Sequence, residues 1–281
     1  MKNLKTALFL LPIVLLVCDA IAQVKTYPFQ VKVSGHGKSN MVLIPGFTCS
    51  GDVWKETLTL YESKFTCYTL TMAGFAGVPA QPAPSFASWE AAVVDYIETN
   101  HLSKPVIVGH SMGAALALAI ASDYPGLPCK IVIVDVLPCL AAMRNPSFKS
   151  NPANDCAPVV QQFTAMNDAS FKVMQQTGIR QLLTDTTRLN TVVDWSLSSD
   201  RATFAMMYYD FLNTDLRDKI KGILCPALVL LEAGFAEFKP AIADQYKNLT
   251  TAQLVYATKG LHFIMYDDWS WYRQQLDAFI K

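Results

Sequence analysis

The sequence predicts an α/β protein: a mostly parallel central sheet flanked by helices, with an inserted helical cap. Three observations carry this prediction. Short β-type runs alternate with longer helical stretches. Several of the runs are apolar throughout, as strands buried on both faces are. Between residues 137 and 222 the rhythm breaks into amphipathic stretches without a convincing strand.

Taken in order, strands are expected near residues 29–33, 41–44, 65–71, 105–108, 130–135, 227–231 and 253–257. Helices are expected near 53–61, 88–100, 112–123, 240–247 and 269–280. Ser88 suits the N-cap of the second helix, because its hydroxyl can accept an otherwise unpaired amide hydrogen, and Pro125 stops the third. The Pro- and Ala-rich stretch 78–85 reads as a loop. Within the insertion, helical stretches are expected around 159–176, 179–190 and 201–214. The organisation that follows is a core of residues 23–136 and 223–281 interrupted by a cap at 137–222.

Of 281 residues, 52% are hydrophobic and 16% charged, which is ample material for a buried core and excludes general disorder. Lys plus Arg equals Asp plus Glu at 23 each, with no run of like charge. A nucleic-acid partner is therefore not expected.

Residues 1–22 have the layout of a secretory signal peptide. Lys2 and Lys5 precede an apolar stretch, and Ala20 and Ala22 supply small residues before Gln23. The apolar stretch is broken by Pro12 and falls short of the roughly 18 residues that a membrane span needs, so no stable span is expected after cleavage. Lipid attachment at Cys18 is disfavoured by the bulky Val17. Export to a periplasm or the extracellular space is the expected destination. The remaining cysteines are Cys49, Cys67, Cys129, Cys139, Cys156 and Cys225, an even set compatible with disulfides; Cys129–Cys225 and Cys139–Cys156 are the preferred pairs. No spacing suits a metal, and none is expected.

The strongest chemical signal is Gly109-His110-Ser111-Met112-Gly113, a G-x-S-x-G pentapeptide between a β-run and a helix-forming run. A tight turn there would expose the serine hydroxyl at the end of a strand, and its glycines would allow neighbouring backbone to approach closely. A serine is a weak nucleophile without a base, and only four histidines are available. His262 lies between the last predicted strand and the C-terminal helix; His36 and His101 lie in loops, and the His110 side chain is expected to point away.

With this strand–GHSMG–helix unit the chain resembles the α/β-hydrolase superfamily, over nearly all of its length after the signal. The resemblance implies that Ser111 is the nucleophile and His262 the base. It also implies that the backbone amides of Met112 and Phe47 form an oxyanion hole, each such donor being worth roughly 3–4 kcal/mol. Phe47 follows Ile44-Pro45-Gly46, where Pro45 replaces the family's common histidine without affecting a backbone donor.

The acid is less local. In this superfamily it usually follows the strand read here as 227–231, but Phe235 occupies roughly that place. Some members carry it at the end of the strand after the nucleophile helix, where this chain has Asp135, keeping the order Ser, Asp, His. Asp135 is the first choice, with Glu237 and then Glu232 as alternatives. Asp267 and Asp268 read as capping residues of the last helix.

The expectation is thus a carboxylesterase-like serine hydrolase acting on a small or medium apolar acyl compound, without a cofactor. Phe163, Met166, Met206 and Met207 are the candidate substrate-binding residues, joined by Met174, Phe204 and Tyr208. The alternatives are a non-catalytic binding protein on the same scaffold, and lyase or perhydrolase chemistry by the same triad.

Overall fold

The structure is a computed structural model describing residues 25–151, 153 and 155–281; the signal segment lies outside them. Seven strands form one sheet: β1 (Phe29–Ser34), β2 (Ser39–Ile44), β3 (Phe65–Met72), β4 (Val106–His110), β5 (Lys130–Val134), β6 (Ala227–Leu231) and β7 (Ala252–Tyr256). Their order is β1-β3-β2-β4-β5-β6-β7. Only β1 runs antiparallel, against β3; the other pairings are parallel. Every residue of β4 and β6 is buried, in keeping with the apolar run of β6 and with that of β4 up to His110.

The helices of the core are α1 (Lys55–Tyr61), α2 (Phe86–Thr99) and α3 (Met112–Asp123), with α8 (Lys239–Tyr246), α9 (Ile264–Asp267) and α10 (Trp269–Ile280) towards the C-terminus. Helix α3 buries ten consecutive residues, Met112 to Ala121, because it is apolar around its whole circumference and packs under the centre of the sheet. Helix α2 starts earlier than expected. Ser85, not Ser88, is its N-cap, and the two form a capping box in which Ser88 returns a hydrogen bond.

Between β5 and β6 the chain forms α4 (Ala157–Ala165), α5 (Asp168–Arg180), α6 (Thr186–Leu197) and α7 (Arg201–Leu212). The expected helix over 159–176 is in fact two, because Asn167 turns extended and its side chain caps Ser170 N–H at 2.9 Å. Asp185 and Asp200 cap the next two in the same way. The expected helix at 179–190 is likewise displaced towards the C-terminus by the cap at Asp185.

All six cysteines of the described residues are free thiols, so neither expected disulfide is formed. Each pair would join a deeply buried residue, Cys225 or Cys139, to a more exposed one, Cys129 or Cys156. The described residues contain no helix long and apolar enough to cross a membrane.

Candidate active site

The site lies at the carboxyl ends of the strands, where chain order reverses between β2 and β4, the crevice in which open parallel sheets bind ligands. Phe47 follows β2, Ser111 follows β4 and Asp135 follows β5.

Ser111 has φ 53 and ψ −122, a strained conformation for a residue with a side chain. Its surroundings fix it there. Its N–H donates to Val134 O at 2.9 Å, and its own carbonyl accepts from Ala114 N and Ala115 N, starting α3. The flanking glycines let the turn close: a Cβ on Gly109 would meet Gly113 O at 2.3 Å, and one on Gly113 would meet Ile44 O at 2.3 Å. Met112 is the first residue of α3, so its amide is one that no helical carbonyl engages, at the positive end of the helix.

Asp135 also has positive φ, 52, which ends β5 one residue before the expected limit. The turn directs its carboxylate at His262. The imidazole Nδ1–H donates to Asp135 Oδ2 at 2.6 Å, and Asp135 Oδ1 accepts the Glu232 backbone N–H at 2.7 Å. The Asp135 side chain is 1% exposed and that of His262 is 20% exposed. The alternatives differ. Glu237 is exposed. Glu232 presents its amide to Asp135, while burial, reinforced by the Asp135 charge, pushes its carboxyl up to about 7.

His110 packs against the base, a contact that sequence reasoning did not anticipate. It is completely buried, its Nε2–H donates to the His262 carbonyl oxygen at 3.0 Å, and the two rings lie 4.7 Å apart. Burial, and then the neighbouring His262, hold its pKa well below the ordinary value, so it is neutral. No hydrogen bond joins it to Ser111 among the described residues; Gly46 leaves its ring room beside the nucleophile turn, where a Cβ would meet His110 Nδ1 at 2.7 Å.

A cavity of about 510 Å³ opens onto Ser111, His262 and Asp135, a size suited to a small-molecule ligand. Of the expected lining residues, Phe163, Met174, Phe204 and Tyr208 face it. Met166, Met206 and Met207 do not. Met207 is buried in the main core, and Met166 is the C-cap of α4. Helix α7 presents Phe204, Tyr208, Phe211 and Leu212, positions on one helical face, and Met206 and Met207 fall on others. Gln175, Ile179, Leu182 and Val192, from α5, α6 and the turn between them, were not anticipated; only the rotation of those helices brings them to the wall.

Asp268 occupies the N-cap position of α10 but its side chain makes no capping hydrogen bond, and Asp267 lies one residue before it. Asp267 accepts hydrogen bonds from Thr184 N, Asp185 N and Leu261 N, all at 2.9 Å, joining the start of α6 to the residue before His262. Asp268 accepts from the Thr258 hydroxyl at 2.9 Å. Among the described residues no cluster of side chains suits a metal ion.

The family model described as "Alpha/beta hydrolase family" matches residues 41–274. Pimeloyl-[acyl-carrier protein] methyl ester esterase of Proteus mirabilis strain HI4320 is 24% identical over 197 residues, 70% of this chain and 74% of that protein. Epoxide hydrolase 4 of Mus musculus is 27% identical over 108 residues, 37% of this chain and 30% of that one. Among solved structures, the enol-lactonase from Burkholderia xenovorans LB400 superposes with TM-score 0.73 at 14% identity, covering 90% of this chain and 96% of its own. A thermophilic esterase from Thermogutta terrifontis does so with TM-score 0.72 at 14% identity, covering 90% and 92%. At that identity the likeness is one of fold.

Proposed function

Because the chain belongs to the alpha/beta hydrolase family, we propose that it is an exported serine hydrolase that cleaves an ester of a small to medium apolar acyl compound. The observation that carries the reading is the 2.6 Å hydrogen bond from His262 to buried Asp135, in a cavity shared with strained Ser111.

Ser111 Oγ attacks the ester carbonyl while His262 Nε2 takes its proton. Asp135 holds Nδ1 protonated, which leaves Nε2 as the acceptor, and stabilises the imidazolium that forms. The oxyanion takes the amides of Met112 and Phe47. Collapse expels the alcohol, protonated by His262, and leaves an acyl-serine. Water, deprotonated by His262, then attacks the acyl-serine to release the acid and restore Ser111. The α4–α7 insertion acts as a cap that supplies the apolar wall. Esterase relatives support an ester over an amide. Export rests on the N-terminal 22 residues alone.

The test is turnover of a chain-length series of p-nitrophenyl esters by the mature chain. Ser111→Ala is expected to lose about six orders of magnitude in kcat and Asp135→Asn about four, with Glu237→Gln near wild type. Wild-type turnover no greater than that of Ser111→Ala would overturn the reading in favour of a binding protein. Equal loss in Glu237→Gln would displace Asp135. Secretion of the full-length chain, with Gln23 as the new N-terminus, tests export.

A further inference from the structure

The wall that α4–α7 contribute is hydrocarbon at Phe163, Met174, Ile179, Val192 and Phe204; Gln175 and the half-exposed Tyr208 depart from it, and of the two Gln175 is the buried one. Gln175, on α5, is 9% exposed, and its Oε1 accepts a hydrogen bond from Ser196 Oγ on α6 at 2.8 Å. Ser196 is itself wholly buried. The bond engages the amide oxygen and fixes the plane of the amide. Nε2 has no hydrogen-bond partner among the described residues, and Gln175 is one of the residues that line the cavity.

A donor held in an apolar wall is costly unless an acceptor meets it, and a few oriented polar groups of this kind are what set specificity in apolar pockets. Among the described residues no lysine or arginine lines the cavity, so a carboxylate placed there would lack a lysine or arginine counter-ion. We propose that Gln175 is a specificity-determining residue. Its amide donates to a neutral oxygen of the substrate, a ketone, ether or second ester, in the part that lies along α5. The preferred substrates are oxygenated apolar esters rather than plain hydrocarbon or acid-bearing ones. This rests on the hydrolase reading for the word substrate, but the binding of ligands by Gln175 can be measured without it.

The experiment uses Ser111→Ala protein and calorimetry with matched pairs of alkyl ketones. One member of each pair carries a second oxygen, moved carbon by carbon along the chain. At one position the oxygenated ketone is expected to bind at least about tenfold tighter than its hydrocarbon partner, with a carboxylate at the same position binding worse than either. Gln175→Leu should remove that preference, Gln175→Glu should reverse it, and Ser196→Ala, which releases the amide from its orientation, should weaken it. No preference at any position, or a preference that survives Gln175→Leu, would overturn the proposal. The matching esters are then assayed with the Ser111 protein. A Gln175-dependent binding preference without Ser111-dependent turnover would sink the hydrolase reading and leave the Gln175 assignment standing. Turnover without the preference would do the reverse.

Discussion

His110 and His262 lie with ring centroids 4.7 Å apart and planes tilted by 46°, and the first donates a hydrogen bond to the main-chain carbonyl of the second. One histidine thus holds the backbone of the other. His110 presents Nε2 to a carbonyl, not to the cavity's reacting centre, so it is a positioning residue. His110→Leu is expected to lower kcat about 10- to 100-fold with KM little changed, since a displacement of about 1 Å is enough for such a loss. His110→Gln, which can restore a donor, should recover part of it. Loss in KM alone would contradict this role.

Glu232 provides a pH signature. Its carboxyl is held up to about 7 by burial, and next by the Asp135 charge, against an ordinary value of 4.5. Above its unfolded pKa the unfolded chain loses this proton while the folded chain keeps it, so wild-type stability falls as pH rises from 4.5 through 7. Glu232→Gln lacks that fall. Thermal melts across this range should show the variant's Tm gaining on wild type as pH rises. Glu90, also raised to about 7 by burial, titrates in both proteins and cancels. A constant difference in Tm would contradict the assignment.

Asp267 accepts three backbone amides from two separate segments. Asp267→Ala strands those donors and should cost about 3 kcal/mol, lowering Tm by roughly 6–12 °C. Activity should fall as well, because Leu261 adjoins His262. Asp267→Asn keeps an acceptor oxygen and should lose less on both counts. Equal effects from the two variants would show that the charge, not the geometry, matters.

Gly113 has no space for a side chain, with Ile44 O and Pro45 O at 2.3 and 2.4 Å from a Cβ placed there. Gly113→Ala is expected to destabilise by roughly 4 kcal/mol or more, because both obstacles are backbone. Gly126→Ala is the control, since its Cβ would meet nothing within 4 Å. Comparable Tm values for the two variants would refute the close approach of β2 to the start of α3.

What the sequence made legible was what is local or periodic. Strands such as β5 and β6 carry apolar runs, and α3 and α10 match their expected limits because apolar spacing and flanking residues mark both ends. Ser111 was legible from five consecutive residues. Asp135 was legible as a strand-end carboxylate and stands ahead of Glu237 on that ground; the positive φ that turns its side chain was not legible. The pocket wall was not legible. Phe204 and Met207 are equally apolar, and only the packing of α7 decides that one faces the cavity and the other the core. Asp267 was misread for a related reason: a carboxylate beside a helix start reads as a cap unless a distant segment brings it better donors.

The three bonds to Asp267 divide the rim of the cavity into two kinds of wall. On one flank the beginning of α6 is fastened through Asp267 to the strand-to-helix loop that carries His262, whose imidazole bonds Asp135. On the other flank α4 brings Phe163 to the cavity while burying none of its residues. The two flanks of the cavity thus differ in what holds them, backbone hydrogen bonds to a carboxylate on one and side-chain packing of α4 against α7 on the other.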